Sequence, residues 1–112
     1  MNKAAVDLLK ALLLMYGSAW ESELKDMLMT IWSVRGLELA EIGRMQKAVE
    51  EAEEMLQKAG LITVEEKERG DLGRREPIRE KLYELQTLFQ VMKLLGGDPE
   101  LDKIRLQLQG QL

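Results

Sequence analysis

A chain of 112 residues is one domain on size grounds; 46% hydrophobic residues supply a core and 32% charged residues supply a surface. With a formal net charge of -4, any nucleic-acid binding requires positive charge gathered locally. Cysteine and histidine are both absent, which excludes disulfides and thiolate metal sites and removes the commonest general base and metal ligand.

Asn2 to Met15 reads as the first helix. Val6, Leu9, Leu13 and Tyr16 form one stripe, with Ala5, Leu8 and Leu12 beside it. Leu14 and Met15 widen the apolar surface, so this helix should be central in the core or shared with a partner. The run from Ala4 to Tyr16 is shorter than the about 20 residues a bilayer requires. Asp7 and Lys10 interrupt it, and no small-residue cleavage site follows. These features predict a buried helix of a cytoplasmic protein with no membrane partner. Gly17 suits a left-handed C-terminal cap.

Ser18 and Glu21 have the spacing of a capping box, which predicts that a second helix opens at Ser18 and runs to about Trp32. Leu24, Met27, Leu28, Ile31 and Trp32 follow the helical period. Trp20 and Trp32 are expected as core anchors with bonded indole N–H groups rather than as ligand-pocket walls. Ser33 to Leu39 is the next turn, with Gly36 as its pivot. A long third helix, residues 38–59, carries Ile42, Met45, Val49, Ala52, Leu56 and Ala59 on one apolar face. Its polar face carries Glu38, Glu41, Arg44, Lys47, Glu50, Glu51, Glu54 and Lys58. The glutamates from Glu50 to Glu54 read as a solvated face: helix-bundle carboxylate metal sites use Glu-x-x-His pairs, and no histidine is present.

Leu61 to Val64 reads as a strand, Lys67 to Pro77 as a charged loop with Gly70 and Gly73 at its tip, and Ile78 to Leu85 as the returning strand of a short, exposed hairpin. A fourth helix is expected from about Gln86 to Leu95, broken by Gly96-Gly97. Asp98-Pro99 is a helix restart, with Asp at the N-cap and Pro at the first helical position. Leu101, Ile104 and Leu108 then share a helical face, although Ile104, Leu106 and Leu108 also alternate as a strand would. The terminal helices carry more apolar surface than a small three-helix core needs, which predicts a homodimer interface in residues 96–112 and the first and fourth helices.

The order helix, helix, helix, ribbon, helix resembles the winged helix-turn-helix regulators of bacteria and archaea, of the MarR-like and PadR-like kind. The fragments that carry the resemblance are Ser22-Glu23-Leu24, the run Glu53 to Ile62 with its Leu56-x-x-Ala59-Gly60-Leu61-Ile62 exit, and Leu82-Tyr83-Glu84-Leu85. The resemblance implies a mainly α fold with a small β-ribbon: a winged-helix domain over residues 1–95, with recognition helix 38–59 and wing 61–85. It also implies duplex DNA as partner, homodimerisation and transcriptional regulation; without histidine or cysteine, and with no recognisable constellation among Asp, Glu, Lys and Arg, no enzymatic activity and no cofactor are expected. By the same resemblance Arg44, Gln46 and Lys47 would meet base edges. Lys67, Arg69, Arg74, Arg75, Arg79 and Lys81 would meet phosphate; these six face only Glu68, Asp71, Glu76 and Glu80 in the same stretch. The third helix departs from this pattern, because its glutamates outnumber Arg44 and Lys47 and oppose phosphate. That departure leaves open a second reading, a winged-helix module that binds another protein.

Overall fold

The computed structural model describes residues 2–70, 73 and 76–110. Within them the elements run α1 (Lys3–Leu14), β1 (Ser18–Trp20), α2 (Glu21–Arg35), α3 (Leu39–Lys58), β2 (Ile62–Arg69), β3 (Ile78–Leu85), α4 (Leu88–Leu95) and α5 (Pro99–Gly110). The chain is mainly helical, with a three-stranded antiparallel sheet in the order β1-β3-β2. Among the described residues no helix is long and apolar enough to cross a membrane.

The first helix is the central element. Ala4, Ala5 and every residue from Asp7 to Leu13 are buried. Leu8, Leu9 and Leu12 form one cluster with Leu24, Leu28, Ile31 and Trp32 of α2, Ala52 and Leu56 of α3, Ile62, Tyr83 and Val91. Leu101 and Ile104 of α5 join the same cluster, so the last segment folds as a helix on this core rather than as the strand its alternation also allowed.

Three helices end in one way. Just past the end of α1, α2 and α3, a residue with positive φ turns the chain back: Tyr16 at 61°, Gly36 at 82° and Gly60 at 75°. The next amide then reaches back to the last helical turn: Gly17 to Leu12, Leu37 to Trp32, and Leu61 to Leu56 at 3.0 Å. These are Schellman closures, which satisfy the orphan carbonyls of a helix end. Glycine adopts the left-handed conformation freely; a residue with a Cβ does so at a cost of about 1–2 kcal/mol. Composition favours Gly17 as the cap of α1, yet the cap falls on Tyr16, which is also not part of the buried stripe but fully in solvent.

The capping box expected from Ser18 to Glu21 does not form. Ser18–Trp20 is a strand that pairs with the free edge of β3, Ser18 opposite Glu84 and Trp20 opposite Leu82, and it buries Ala19. Ladder bonds along three residues outweigh one reciprocal side-chain cap. The second helix therefore starts at Glu21 and extends to Arg35, leaving only Gly36, Leu37 and Glu38 as the turn before α3. The hairpin is longer than expected: β2 runs through Lys67 to Arg69, residues that their charge and the nearby glycines assign to the loop.

Two charged side chains of α1 are buried, and they are paired. Asp7 is 1% exposed and accepts from Trp32 Nε1 at 3.0 Å and from both terminal nitrogens of Arg35, at 3.0 and 2.7 Å. Arg35 also donates to both oxygens of Glu100, at 3.0 and 2.7 Å. Lys10 reaches Asp98 at 2.9 Å and Glu100 at 3.2 Å. One five-member network thus joins the middle of α1, the C-terminal turn of α2 and the N-terminus of α5, where Asp98 also accepts from the Glu100 amide at 2.8 Å. Hydrogen bonding to Arg35 pulls the Glu100 carboxyl from its ordinary 4.5 down to about 2, against the opposing effect of burial. Burial by itself would lower Lys10, but the Asp98 and Glu100 carboxylates outweigh it and raise it.

Because the folded-state pKa of Glu100 is depressed, the stability it contributes is complete above its ordinary pKa and is lost as pH falls from about 4.5 towards about 2. Urea unfolding of wild type and Glu100→Gln should therefore differ clearly at pH 7 and converge near pH 2. Removing the buried member of the Asp7–Arg35 pair is more severe: Asp7→Ala should cost about 3 kcal/mol at pH 7, with Glu100 still bound to Arg35, whereas Asp7→Leu combined with Arg35→Met should recover most of the loss.

Candidate nucleic-acid interface

The exposed first half of α3 is the natural starting point. Buried Ile42, Ala52 and Leu56 and half-buried Met45 and Val49 fix which side of this helix meets the core. At 100° per residue, Arg44 and Lys47 then lie on the solvent side. Both are exposed and make no ion pair among the described residues. Gln46 is also exposed but lies about 100° round the helix from Lys47 and about 160° from Arg44, on the side of α2, its amide nitrogen 4.0 Å from the Met29 sulfur. The structure therefore keeps Arg44 and Lys47 together and turns Gln46 aside.

The ribbon divides in the same manner. Arg79 is exposed without an ion pair among the described residues, and Lys67 is exposed with a weak contact to Glu65 at 3.5 Å. Arg69 is occupied: it binds Glu80 at 2.9 Å and the Ser22 hydroxyl at 3.4 Å, and its guanidinium lies 5.4 Å from the centre of the Trp20 ring. Lys81 is exposed and lies 3.9 Å from both Glu21 and Glu53 at the edge of the groove described below. Arg74 and Arg75 lie outside the described residues.

Strand register adds a constraint that a count of charges from Lys67 to Lys81 does not contain. Glu66 stands opposite Lys81, Lys67 opposite Glu80, and Glu68 opposite Arg79. Directly opposed charges of unlike sign stabilise an antiparallel pair and neutralise each other. Over the two strands, Glu65, Glu66, Glu68, Glu80 and Glu84 exceed Lys67, Arg69, Arg79 and Lys81. The body of the ribbon is accordingly not basic, and in the sequence between the strands Arg74 and Arg75 are matched by Asp71 and Glu76.

Between α2, the second half of α3 and β3 lies a groove of about 590 Å³. Leu24, Leu28 and Val49 line its floor; Glu21, Glu50, Glu53 and Glu54 outnumber Lys25 and Lys81 around it. Buried Tyr83 donates its hydroxyl proton to Glu53 at 2.8 Å, and burial followed by the Glu53 carboxylate pushes the phenol far above its usual pKa. The tyrosine is thus a fixed hydrogen-bond donor at the end of an acidic groove.

Glu80 has a role that sequence reading does not reveal. Its carboxylate accepts from the Ser22 amide at 2.7 Å and from Arg69 at 2.9 Å, tying β3 to the first turn of α2. The hydrogen bonds from Ser22, with a further one from Arg69, hold its carboxyl below the ordinary carboxylate value. In the sequence it is only one more charge in an alternating strand. No protein-family model matches the chain, and no curated protein and no solved structure shows a significant match to it.

Replacing a carboxylate that caps a helix costs about 0.5–2 kcal/mol. Glu80→Ala should fall in that range by thermal or urea unfolding. Arg69→Met, which keeps the stem over Trp20, should cost less than Glu80→Ala.

Proposed function

We propose that the chain is a winged-helix protein that binds duplex DNA as a homodimer and acts as a transcriptional regulator. The observation that carries the reading is the connectivity α1-β1-α2-α3-β2-β3 closed into a sheet of order β1-β3-β2. It sets a long helix after a three-residue turn and follows it with an antiparallel ribbon, the plan of a helix-turn-helix with a wing. In such proteins the N-terminal part of the third helix enters the major groove. Here that part presents Arg44 and Lys47 without intramolecular ion-pair partners among the described residues, and either side chain is suited to guanine or to phosphate. The wing contributes Arg79, Lys67 and the Arg74-Arg75 tip. Arg69 is held by Glu80 and Trp20 and serves the fold, Lys81 lies beside the carboxylates of Glu21 and Glu53, and Gln46 is turned towards α2.

A second reading, a winged-helix module that binds a protein, is favoured by one feature: the carboxylate-rimmed groove behind the second half of α3. Carboxylates there repel phosphate and would attract a basic segment.

The two readings separate in a titration of fluorescent random-sequence duplex DNA at several salt concentrations. The DNA reading expects binding that weakens steeply with salt. Removing a single phosphate-binding cation should flatten the log–log slope by about 0.9. Arg44→Ala, Lys47→Ala and Arg75→Ala should each weaken binding, and Arg69→Met should leave it unchanged. If wild type fails to bind duplex at the lowest salt, the DNA reading is lost and the protein-binding one remains.

A further inference from the structure

The fourth helix buries only Val91 against the domain, although Leu88, Phe89, Met92, Leu94 and Leu95 are all apolar. Phe89 is 83% exposed and Tyr16 is 95% exposed. Between α1, α4 and α5 lies a hollow of about 480 Å³ walled by Leu13, Leu14, Leu88, Met92 and Leu108, with Tyr16 and Arg105 also lining it. Phe89 and Met92 are neighbours on α4 at a spacing of three, so the projecting ring stands beside the hollow.

We propose that this face is a two-fold interface with a second copy of the chain, in which Phe89 of each protomer enters the hollow of the other. The inference rests on the dimeric part of the reading above and names the surface responsible. Three observations select a second copy as occupant. First, one face carries both the projecting ring and an apolar hollow able to receive it, and a two-fold interface requires a patch complementary to itself. Second, the walls of the hollow are almost uncharged, so no partner of opposite sign is called for; Arg105 alone stands there, free of ion pairs among the described residues and placed to stack on an entering ring. Third, the area is sufficient. At about 150–250 Å² per aromatic side chain, Tyr16 and Phe89 leave about 300–400 Å² in water. Leu88 and Met92 raise this to about 500 Å² on each side, so that two copies reach the about 1,000 Å² in total that a specific interface should clear.

Tyr16 supplies an independent sign. It occupies the left-handed cap position that α2 and α3 give to glycine, and in the isolated chain its ring gains almost no burial in return. In the dimer the ring closes the rim of the hollow.

Sedimentation of wild type, Phe89→Glu and Tyr16→Gly tests the assignment, with thermal unfolding of each as the folding control. Wild type should be a dimer at micromolar concentration. Phe89→Glu should be a monomer with a native circular-dichroism spectrum. Tyr16→Gly should melt at or above the wild-type temperature when both are monomeric, yet dimerise about tenfold or more weakly. A wild-type chain that stays monomeric at millimolar concentration would overturn both the dimer and this surface, while leaving duplex binding to be judged by its own titration. A dimer that survives both substitutions would place the interface elsewhere and keep the dimeric reading.

Discussion

The domain is built around a buried carboxylate. Asp7 sits in the most buried helix of the domain and is tolerable there only because an indole N–H and both terminal nitrogens of Arg35 converge on it. That requirement has geometric consequences. It fixes the C-terminal turn of α2 against the middle of α1, and with it the place where the chain turns at Gly36 and sends α3 back across the core. It also leaves Arg35 with donors to spare, which Glu100 accepts, so the start of α5 is set by the same charge. An apolar pair could give equal or greater stability, but it would specify direction less tightly than a bidentate guanidinium does. The orientation of α3 thus follows from a network some distance from it.

Much of the fold was legible from periodicity and punctuation. The limits of α3 and of β3 follow from the apolar spacing of Ile42 to Leu56 and from the bracketing of Ile78–Leu85 by Pro77 and the following helix. What was not legible depended on partners distant in sequence. Ser18–Trp20 is too short to read as a strand, and it becomes one only because β3 has a free edge sixty-odd residues later. The capping-box spacing at Ser18 and Glu21 is a local signal, and it lost to that ladder. Asp7 and Lys10 looked like interruptions of an apolar helix, since nothing in the sequence announces that Arg35, Asp98 and Glu100 will meet them. The candidate interface divides on the same line. Exposure of Arg44 and Lys47 follows from helix phase alone. The occupation of Arg69 by Glu80 and Trp20, and of Lys81 by Glu21 and Glu53, depends on register and on the packing of α2 beside the sheet.

Charge is distributed along α3 with a polarity that bears on how a duplex could approach. Its first half shows Arg44 and Lys47 to solvent; its second half holds Glu50, Glu51, Glu53 and Glu54. A helix lying flat in a major groove would bring both halves near phosphate, and the carboxylates would cancel the counterion release that the cations provide. A helix entering at its N-terminal end would meet the duplex with Arg44 and Lys47 offset by Glu38 and Glu41, and would carry only the carboxylates from Glu50 onward away from the phosphates. The ribbon is consistent with that approach. Its strands neutralise themselves at three opposed pairs, and exposed Arg79 and Lys67 are the described cations that a phosphate would meet. On the DNA reading the acidic half of α3 would disfavour an approach with the helix lying flat along the groove. The same carboxylates face the groove that would suit a basic segment of a protein, so the two readings of the domain assign different surfaces of one helix and do not compete for the same residues.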